Sequence, residues 1–294
     1  MEFYYNIYGL RTKCNVYMEL LTQSTPHEKI DIEIVVNYET IPLSDKIKIS
    51  KIKDNYEIVL CNHARYVVYP FQSKIECTAV TFEAFFSTLF NIPFSVYFML
   101  RGEMLLHCCT MTHNNKLICF MGEKGVGKST LTKLLNGDVL KQYSDDTLRV
   151  ACGGKAFRAH NLIKYTPETV AVTKNNNITN NRNLSGKVYA YILEQCVDIA
   201  ISRTFVIKRS NIFYPRLSDI PTKLQPAVIL DNIVGINYFD CDLLKLALNY
   251  VKTNQFYCSE LSIPNNISDL VKSYDEIINI IDDITEKSKI QELL

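Results

Sequence analysis

The hydrophobic pattern separates a strand-rich beginning of the chain from a mixed remainder. Short apolar runs such as Phe3–Ile7 alternate with polar turns, and residues 31–36 alternate apolar and polar positions as a half-buried strand does. Residues 16–20 form another short apolar run, which we also interpret as a strand. We therefore expect residues 1–80 to form a β-rich amino-terminal region.

After residue 80 the apolar positions follow the period of a helix. Phe82, Phe86 and Phe90 belong to an aromatic stripe at that spacing, which is typical of a protein core, and Pro93 should break or kink the helix. The apolar stretch from Ala84 to Leu100 contains polar residues and is shorter than the ~20 residues of a membrane span. We interpret it as buried helix and turn, and we expect no membrane partner.

The next apolar runs predict a hairpin. Residues 103–112 are interpreted as a strand, His113-Asn114-Asn115 as a turn, and residues 116–121 as the returning strand. This arrangement places His107 on a strand beside the one that leads into the glycine-rich segment at Gly122.

Strands and helices alternate through the rest of the sequence. The pattern predicts strands over residues 139–143, 188–193, 200–207 and 256–261, and helices over residues 227–233, 243–251 and 267–281. The polar segment 174–185 is either a lid over substrate or a solvated insertion, and the sequence leaves both interpretations open. The fold class is α/β, of the α+β kind with a mixed sheet.

Composition narrows the environment and the partners. The 294 residues are 47% hydrophobic, and the net charge is +1 with acidic and basic residues interspersed, so we expect no nucleic-acid partner. The ten cysteines include no C-x-x-C pair, and the first residues lack the basic and apolar segments of a signal peptide. We expect reduced thiols in a cytoplasmic protein.

Candidate chemistry centres on one motif. Gly122, Gly127, Lys128 and Ser129 fit the pattern G-x-x-x-x-G-K-[ST] between a predicted strand and a predicted helix. Glycines allow backbone N–H groups to approach a polyphosphate, and the positive end of the helix dipole adds to its attraction. The lysine can reach the β- and γ-phosphates of ATP, and the serine hydroxyl can ligate Mg²⁺. The nucleotide-binding residues predicted from this motif are Gly122, Lys124, Gly125, Val126, Gly127, Lys128, Ser129 and Thr130.

Two neighbouring carboxylates form a second candidate. Asp145 and Asp146 follow a predicted strand shortly after the motif, and adjacent side chains on a strand point to opposite faces. One carboxylate can therefore face the γ-phosphate while the other holds Mg²⁺ or a neighbouring loop. The simpler interpretations are a polar strand end for the aspartates and a plain glycine-rich turn for the motif, although that turn leaves Lys128 and Ser129 unexplained.

These features together resemble a known family. The His107 strand, the hairpin, the glycine-rich motif and the aspartate pair are similar to the catalytic domain of HPr serine kinase/phosphorylase, whose sheet is shared with phosphoenolpyruvate carboxykinases. The chain more closely resembles the HPr-kinase-like proteins of peptide-modification clusters, including lasso-peptide kinases. It shares with them a Tyr-x-Ile-x-Gly-Leu strand at residues 5–10 and an Arg-Gly before the histidine strand at residues 101–107.

The resemblance implies a P-loop kinase core over residues 81–294 and a role for each matching residue. Lys128 and Ser129 would serve phosphate and Mg²⁺, and His107 would lie close to the transferred phosphate. Asp145 would be the general base toward the acceptor hydroxyl, and Asp146 would support that site or the metal. The chain departs from the family at Lys124, where a small hydroxyl residue is common.

The implied activity is transfer of the γ-phosphoryl group from ATP, with Mg²⁺, to a hydroxyl of a peptide or protein serine. Two other interpretations stay open. One is an ATPase or nucleotide-sensing module, which needs no acceptor site, and the other is a small-molecule kinase, which needs a closed acceptor pocket. The sequence does not decide whether the chain forms a homo-oligomer.

Overall fold

The computed structural model describes residues 1–26, 29–41, 46–61, 63–165, 182–184, 187–191 and 199–291. The fold is mixed α/β with mixed sheets, which confirms the predicted class at that level. The strands are β1 (Phe3–Ile7), β2 (Leu10–Cys14), β3 (Ile32–Tyr38), β4 (Lys48–Ile52), β5 (Asn55–Leu60), β6 (Ala64–Tyr69), β7 (Lys74–Ala79), β8 (Met104–His107), β9 (Cys109–His113), β10 (Lys116–Met121), β11 (Lys141–Ser144), β12 (Thr147–Val150), β13 (Lys155–Arg158), β14 (Leu162–Tyr165), β15 (Arg182–Leu184), β16 (Lys187–Tyr191), β17 (Ile199–Ser210), β18 (Arg216–Asp219) and β19 (Cys258–Pro264). The helices are α1 (Phe82–Leu89), α2 (Ile92–Leu100), α3 (Lys128–Leu135), α4 (Gln225–Asp231), α5 (Cys241–Thr253), α6 (Ile267–Lys272) and α7 (Tyr274–Gln291).

The amino-terminal region, which was expected to be β-rich, forms one sheet. Its seven strands run in the order β1-β2-β3-β7-β6-β5-β4, with parallel pairs only at β2–β3 and β3–β7. The predicted strand over residues 16–20 was wrong. The chain turns there because Met18 N donates to the Tyr5 hydroxyl at 2.7 Å and Leu21 N to the Met18 carbonyl at 2.9 Å.

A second sheet is built around the long strand β17. β10 and β19 flank β17 in parallel, and β13 pairs with its first residues in the antiparallel sense. β9 and β10 form the predicted antiparallel hairpin, and the turn residues Asn114 and Asn115 have φ of 48° and 60°. Asparagine tolerates this left-handed conformation better than most residues.

Two strand pairs within this sheet break at the same place. β9 pairs with β11 and β8 pairs with β12, and the chain passes from one pair to the other at Cys108 and at Asp145-Asp146. Cys108 N donates to the Asp146 carbonyl at 3.1 Å across the break. The adjacent aspartates therefore lie between the β9–β11 pair and the β8–β12 pair, and their two side chains have different neighbours.

Helices α1 and α2 carry much of the apolar core. Phe85, Phe86 and Leu89 are buried in α1, Pro93 lies in the first turn of α2, and residues 92–99 of α2 are all buried, as the aromatic stripe predicted. Among the described residues no single helix is long and apolar enough to span a membrane, and only α1 and α2 taken together, bent by 43°, have that length and composition.

The amino-terminal sheet packs directly on the rest of the chain. Tyr8 is fully buried, and its hydroxyl donates to the Phe90 carbonyl at 2.7 Å and is hydrogen-bonded to Thr147 Oγ1 at 2.6 Å. The Arg149 guanidinium donates to Glu103 at 2.7 Å and to the Tyr8 carbonyl at 2.8 Å. The tip of the first hairpin is thus held against β12, next to Asp146.

Two predictions concern the later elements. The helix expected over residues 267–281 is divided into α6 and α7 at Ser273, whose hydroxyl contacts the Asp269 carbonyl at 2.9 Å and the Phe213 carbonyl at 3.2 Å. Of the polar segment 174–185, only residues 182–184 lie within the described part of the chain, where they form β15.

Candidate functional site

The glycine-rich loop, Gly122–Gly127, connects β10 to α3. Gly122 and Gly127 have φ of +135° and +100°, which residues with a Cβ rarely adopt. α3 begins at Lys128, so the first N–H groups of the helix follow the loop directly. A carboxyl-terminal strand end, a glycine loop and a helix N-terminus together form a site at which backbone donors face an anion.

Lys128 is folded into this loop. Its ammonium group donates to the Gly122 carbonyl at 2.7 Å and to the Glu123 carbonyl at 3.1 Å, and the residue is only 6% exposed. Burial lowers the pKa of Lys128, and the neighbouring Cys109, Cys108 and Asp146 oppose that shift. The positive charge is therefore held by carbonyl dipoles at the position where the motif predicts a phosphate contact.

Two side chains from distant parts of the sequence hold the same loop. Arg209, near the end of β17, donates through Nε to the Val126 carbonyl at 2.8 Å and through Nη1 to the Pro264 carbonyl. Asn232, after α4, accepts a hydrogen bond from Gly122 N at 3.2 Å. The motif gave no sign of either residue, because parallel pairing of β10 with β17 brings Arg209 to the loop only in the folded chain.

Asp145 lies beneath the loop helix in a buried polar cluster. Its carboxylate is 3.3 Å from Lys133 Nζ of α3 and accepts from Lys164 N at 3.0 Å and Gln142 Nε2 at 3.4 Å. Burial raises the pKa of Asp145, and the charge of Lys133 opposes that shift. The Cys109 thiol donates to the Asp145 carbonyl at 2.9 Å.

In contrast to the buried Asp145, Asp146 has 43% of its side chain exposed. Its carboxylate accepts from Lys164 Nζ at 3.0 Å and lies 3.6 Å from His107 Nε2. Burial acts to raise the pKa of Asp146, but Lys164 and His107 outweigh it and the pKa is lowered. The pKa of His107 is lowered by burial and by Lys128, so its imidazole favours the neutral form.

The remaining predicted residues surround these groups. Ser129 lies in the first turn of α3 with its hydroxyl 3.5 Å from Cys109 Sγ, and Thr130 follows it, half-buried. Lys124 is exposed at the tip of the glycine-rich loop, where Gly125 has φ of +86°. The structure thus brings His107, Lys128, Ser129 and the two aspartates into one region.

A small cavity of about 20 Å³ opens beside the aspartates. It is lined by Phe90, Ser144, Asp145, Asp146, Thr147, Ala159, His160, Leu162 and Lys164. His160 packs edge-on against Phe90 with ring centres 4.9 Å apart, and burial together with Lys164 lowers its pKa to about 3. The side chain of His160 is therefore a neutral wall of this cavity.

The donor set suits a hard cation held partly by substrate. Within the ranges that the structure covers, no group of three or more His, Cys, Asp or Glu side chains is arranged to hold a metal ion. Mg²⁺ is usually held by one or two protein oxygens together with substrate phosphates and water. The Ser129 hydroxyl and the Asp146 carboxylate carry oxygen ligands of the kind that Mg²⁺ prefers.

Comparison with known proteins adds no family assignment. No protein-family model matches this chain, and no curated protein matches it significantly.

Proposed function

We propose that this protein is an ATP-dependent kinase of the HPr-serine-kinase-like P-loop type, which phosphorylates a serine of a peptide or protein. The observation that carries the proposal is the convergence of a lysine-containing glycine loop, a helix N-terminus and an accessible aspartate beside a histidine. The strand, loop and helix order and the left-handed glycines support a phosphate-binding loop. The buried Lys133–Asp145 ion pair, taken alone, is equally consistent with a purely structural role.

The phosphate contacts follow from the loop. The N–H groups from Gly127 to Thr130, at the start of α3, are the donors for the β- and γ-phosphates, while Gly122 N is bonded to Asn232. Lys128 leaves the Gly122 and Glu123 carbonyls for the phosphates, which are stronger acceptors because they are charged. Arg209 keeps the loop backbone in place through Val126.

Mg²⁺ would be held by Ser129 and Asp146. When bound, the ion neutralises charge on the β- and γ-phosphates. Asp146 then has two carboxylate oxygens for separate tasks, since one faces His107 and the other faces Lys164.

Transfer needs a base for the acceptor proton, and the surroundings favour Asp146 for that role. The serine oxygen bonds to the γ-phosphorus, the bond to the bridging oxygen breaks with its electron pair leaving on ADP, and the hydroxyl proton passes to the carboxylate. Asp145 was expected to be this base from the family resemblance. Its carboxylate is buried and contacts Lys133, Lys164 and Gln142, whereas Asp146 is partly exposed and its lowered pKa keeps it ionised.

Matched substitutions test the proposal. Lys128→Ala should lose ATP binding and turnover, because the cation at the phosphates is lost, whereas Lys124→Ala at the exposed loop tip should retain most of both. Asp146→Asn should still bind ATP through the glycine-rich loop, but it should bind Mg²⁺ more weakly and lose about 10²–10⁴-fold in transfer rate, as expected for removal of a general base. The measurements are ATP titration by calorimetry and intact-mass analysis of serine peptides.

The outcomes separate the alternatives. Full activity of Lys128→Ala would refute the phosphate-loop assignment. ATP consumed with no phosphorylated peptide would favour an ATPase or a small-molecule kinase. Transfer lost in Asp145→Asn, with folding intact and Asp146→Asn active, would return the base role to Asp145.

A further inference from the structure

A second cavity lies where the amino-terminal sheet meets the second sheet. Its volume is about 320 Å³, within the range of small ligand sites. It is lined by Asn6, Gly9, Leu20, Leu21, Thr22, Gln23, Ser24, Tyr143, Phe157, Arg158, His160, Asn161 and Leu162. We call it the interface cavity.

The hairpin that carries the Tyr-x-Ile-x-Gly-Leu motif forms one wall of this cavity. Tyr8 N donates to the Ala159 carbonyl at 3.2 Å, which ties the hairpin to the segment between β13 and β14. Gly9 has φ of +73°, and a Cβ there would lie 2.4 Å from the ring of Phe157. The motif therefore fixes the distance between the two walls, a role that the proposed nucleotide chemistry does not use.

The interface cavity is next to the candidate catalytic carboxylate. His160 and Leu162 line both this cavity and the small cavity that contains Asp146. These two side chains form a shared wall, so a molecule seated in the interface cavity would be separated from the small cavity beside Asp146 by a single layer of side chains. The glycine-rich loop contributes no residue to the wall of the interface cavity, so the nucleotide and this molecule would approach Asp146 from different sides.

The chemistry of the wall indicates what would bind. Among the described residues that line it there is no carboxylate, and Arg158, whose guanidinium lies 5.1 Å from the ring centre of Tyr143, contributes a positive charge. Leu20, Leu21 and Leu162 contribute apolar side chains to the wall, and the remaining lining residues include amide and hydroxyl groups. Such a wall suits a short extended segment with an acidic side chain or carboxylate, and it disfavours a basic one.

We infer that the interface cavity is the acceptor site, and that it binds a short peptide segment carrying negative charge next to the serine to be phosphorylated. This inference rests on the proposed kinase function. The amino-terminal region then belongs to the active site as a substrate-binding wall, and Arg158 selects the acceptor by charge.

One substitution tests the location. Thr22 is exposed at the rim, so Thr22→Trp should fill part of the cavity without disturbing the core, and Thr25→Trp is a matched control on the same segment outside the wall. The probes are serine hexapeptides with glutamate, alanine or lysine on both sides of the serine. Thr22→Trp should raise the KM for the glutamate peptide about tenfold or more, as expected when a binding pocket is blocked, and should leave the KM for ATP unchanged.

A second substitution tests the charge preference. The unmodified protein should prefer the glutamate peptide to the lysine peptide about tenfold or more in kcat/KM, and Arg158→Gln should remove most of that preference. Arg216→Gln, at an exposed position on β18, is the control and should keep the preference.

Other results of these experiments would contradict the inference. An unchanged peptide KM in Thr22→Trp, or a raised KM for ATP instead, would overturn the acceptor-site assignment while leaving the kinase proposal standing. Equal rates for the glutamate and lysine peptides would overturn the charge preference. ATP binding with no transfer to any of the peptides would overturn the acceptor class, and no ATP binding would overturn the proposed function itself.

Discussion

At the scale of single residues, Asp145 and Asp146 differ in burial and in the side chains that they contact. Asp145 lies within the cluster formed by Lys133, Gln142 and the backbone of Lys164. Asp146 emerges on the other side, next to His107. Their adjacency in sequence predicts opposite faces, but which face is buried depends on α3, whose Lys133 supplies the buried charge.

The Lys133–Asp145 pair makes a stability prediction. Lys133→Met should lower the free energy of unfolding by about 3–5 kcal/mol at neutral pH, because it leaves the Asp145 carboxylate buried without its cation. Urea unfolding followed by circular dichroism measures the change. Lys245→Met, at an exposed position on α5, is the control and should change stability by less than about 0.5 kcal/mol.

The loss of stability in Lys133→Met should depend on pH in a predictable direction. Burial already raises the folded-state pKa of Asp145, and removal of Lys133 raises it further. A group whose folded pKa exceeds its unfolded pKa destabilises the fold as pH rises above the unfolded value, so the defect of Lys133→Met should shrink toward acidic pH. Adding Asp145→Asn should also restore much of the stability. A defect that is equal at pH 4 and pH 8 would contradict this account.

Gly127 and Arg209 make a coupled prediction about the glycine-rich loop. A Cβ at Gly127 would lie 2.3 Å from Arg209 Nη2, whereas a Cβ at Gly125 would meet nothing within 4 Å. Both glycines have positive φ, so Gly125→Ala measures backbone strain alone and Gly127→Ala adds the clash. Gly127→Ala should therefore weaken ATP binding more than Gly125→Ala, measured by calorimetry.

Arg209→Ala completes this experiment as a double-mutant cycle. In the Arg209→Ala background the clash is absent, so Gly127→Ala and Gly125→Ala should have similar effects. Additive effects of Gly127→Ala and Arg209→Ala would show that the two positions do not interact.

At the scale of elements, the sequence predicted the turns and helices that depend mainly on residues close together in the chain. The Asn114-Asn115 turn and helix α1 followed from turn residues and from apolar spacing. The strand predicted over residues 16–20 was wrong because apolar residues also fill a buried turn. The single helix predicted over residues 267–281 missed the break at Ser273, because the Ser273 hydroxyl contacts Phe213 of a distant loop.

The residues of the candidate site also form two groups, those that a local motif identifies and those that only the fold brings together. The glycine-rich loop and the aspartate pair are continuous in sequence, so a motif can identify them. Lys133, Lys164, Arg209 and Asn232 reach the site through strand pairing and helix packing. Those residue types have no spacing that marks them, so single-sequence reasoning had no signal for them.

The first hairpin makes a prediction at this scale. Gly9 and Gly102 have nearly the same φ, +73° and +72°, but only a Cβ at Gly9 would contact Phe157. Gly102→Ala should cost about 1–3 kcal/mol of backbone strain, and Gly9→Ala should cost more because the hairpin must also move away from β13. Thermal unfolding gives the comparison, and equal losses would show that the Gly9–Phe157 contact is not needed for docking.

At the scale of the whole molecule, one apolar cluster connects the two large sheets. It includes Ile34 and Val68 from the first sheet, Phe94 from α2, and Leu106 and Cys258 from the second sheet. Polar links follow the same boundary, since Arg149 joins Glu103 to the Tyr8 carbonyl. Residues before and after position 80 therefore share one apolar core.

This shared core predicts that the two parts unfold together. A chain with a continuous core should lose the first sheet and the nucleotide site in one cooperative transition. Near-ultraviolet circular dichroism, dominated by the tyrosines of both parts, and loss of ATP binding should give the same urea midpoint. Two separated midpoints would mean that the sheets are independently stable. In that case the interface cavity would open before the fold is lost, and peptide binding should disappear at a lower urea concentration than ATP binding.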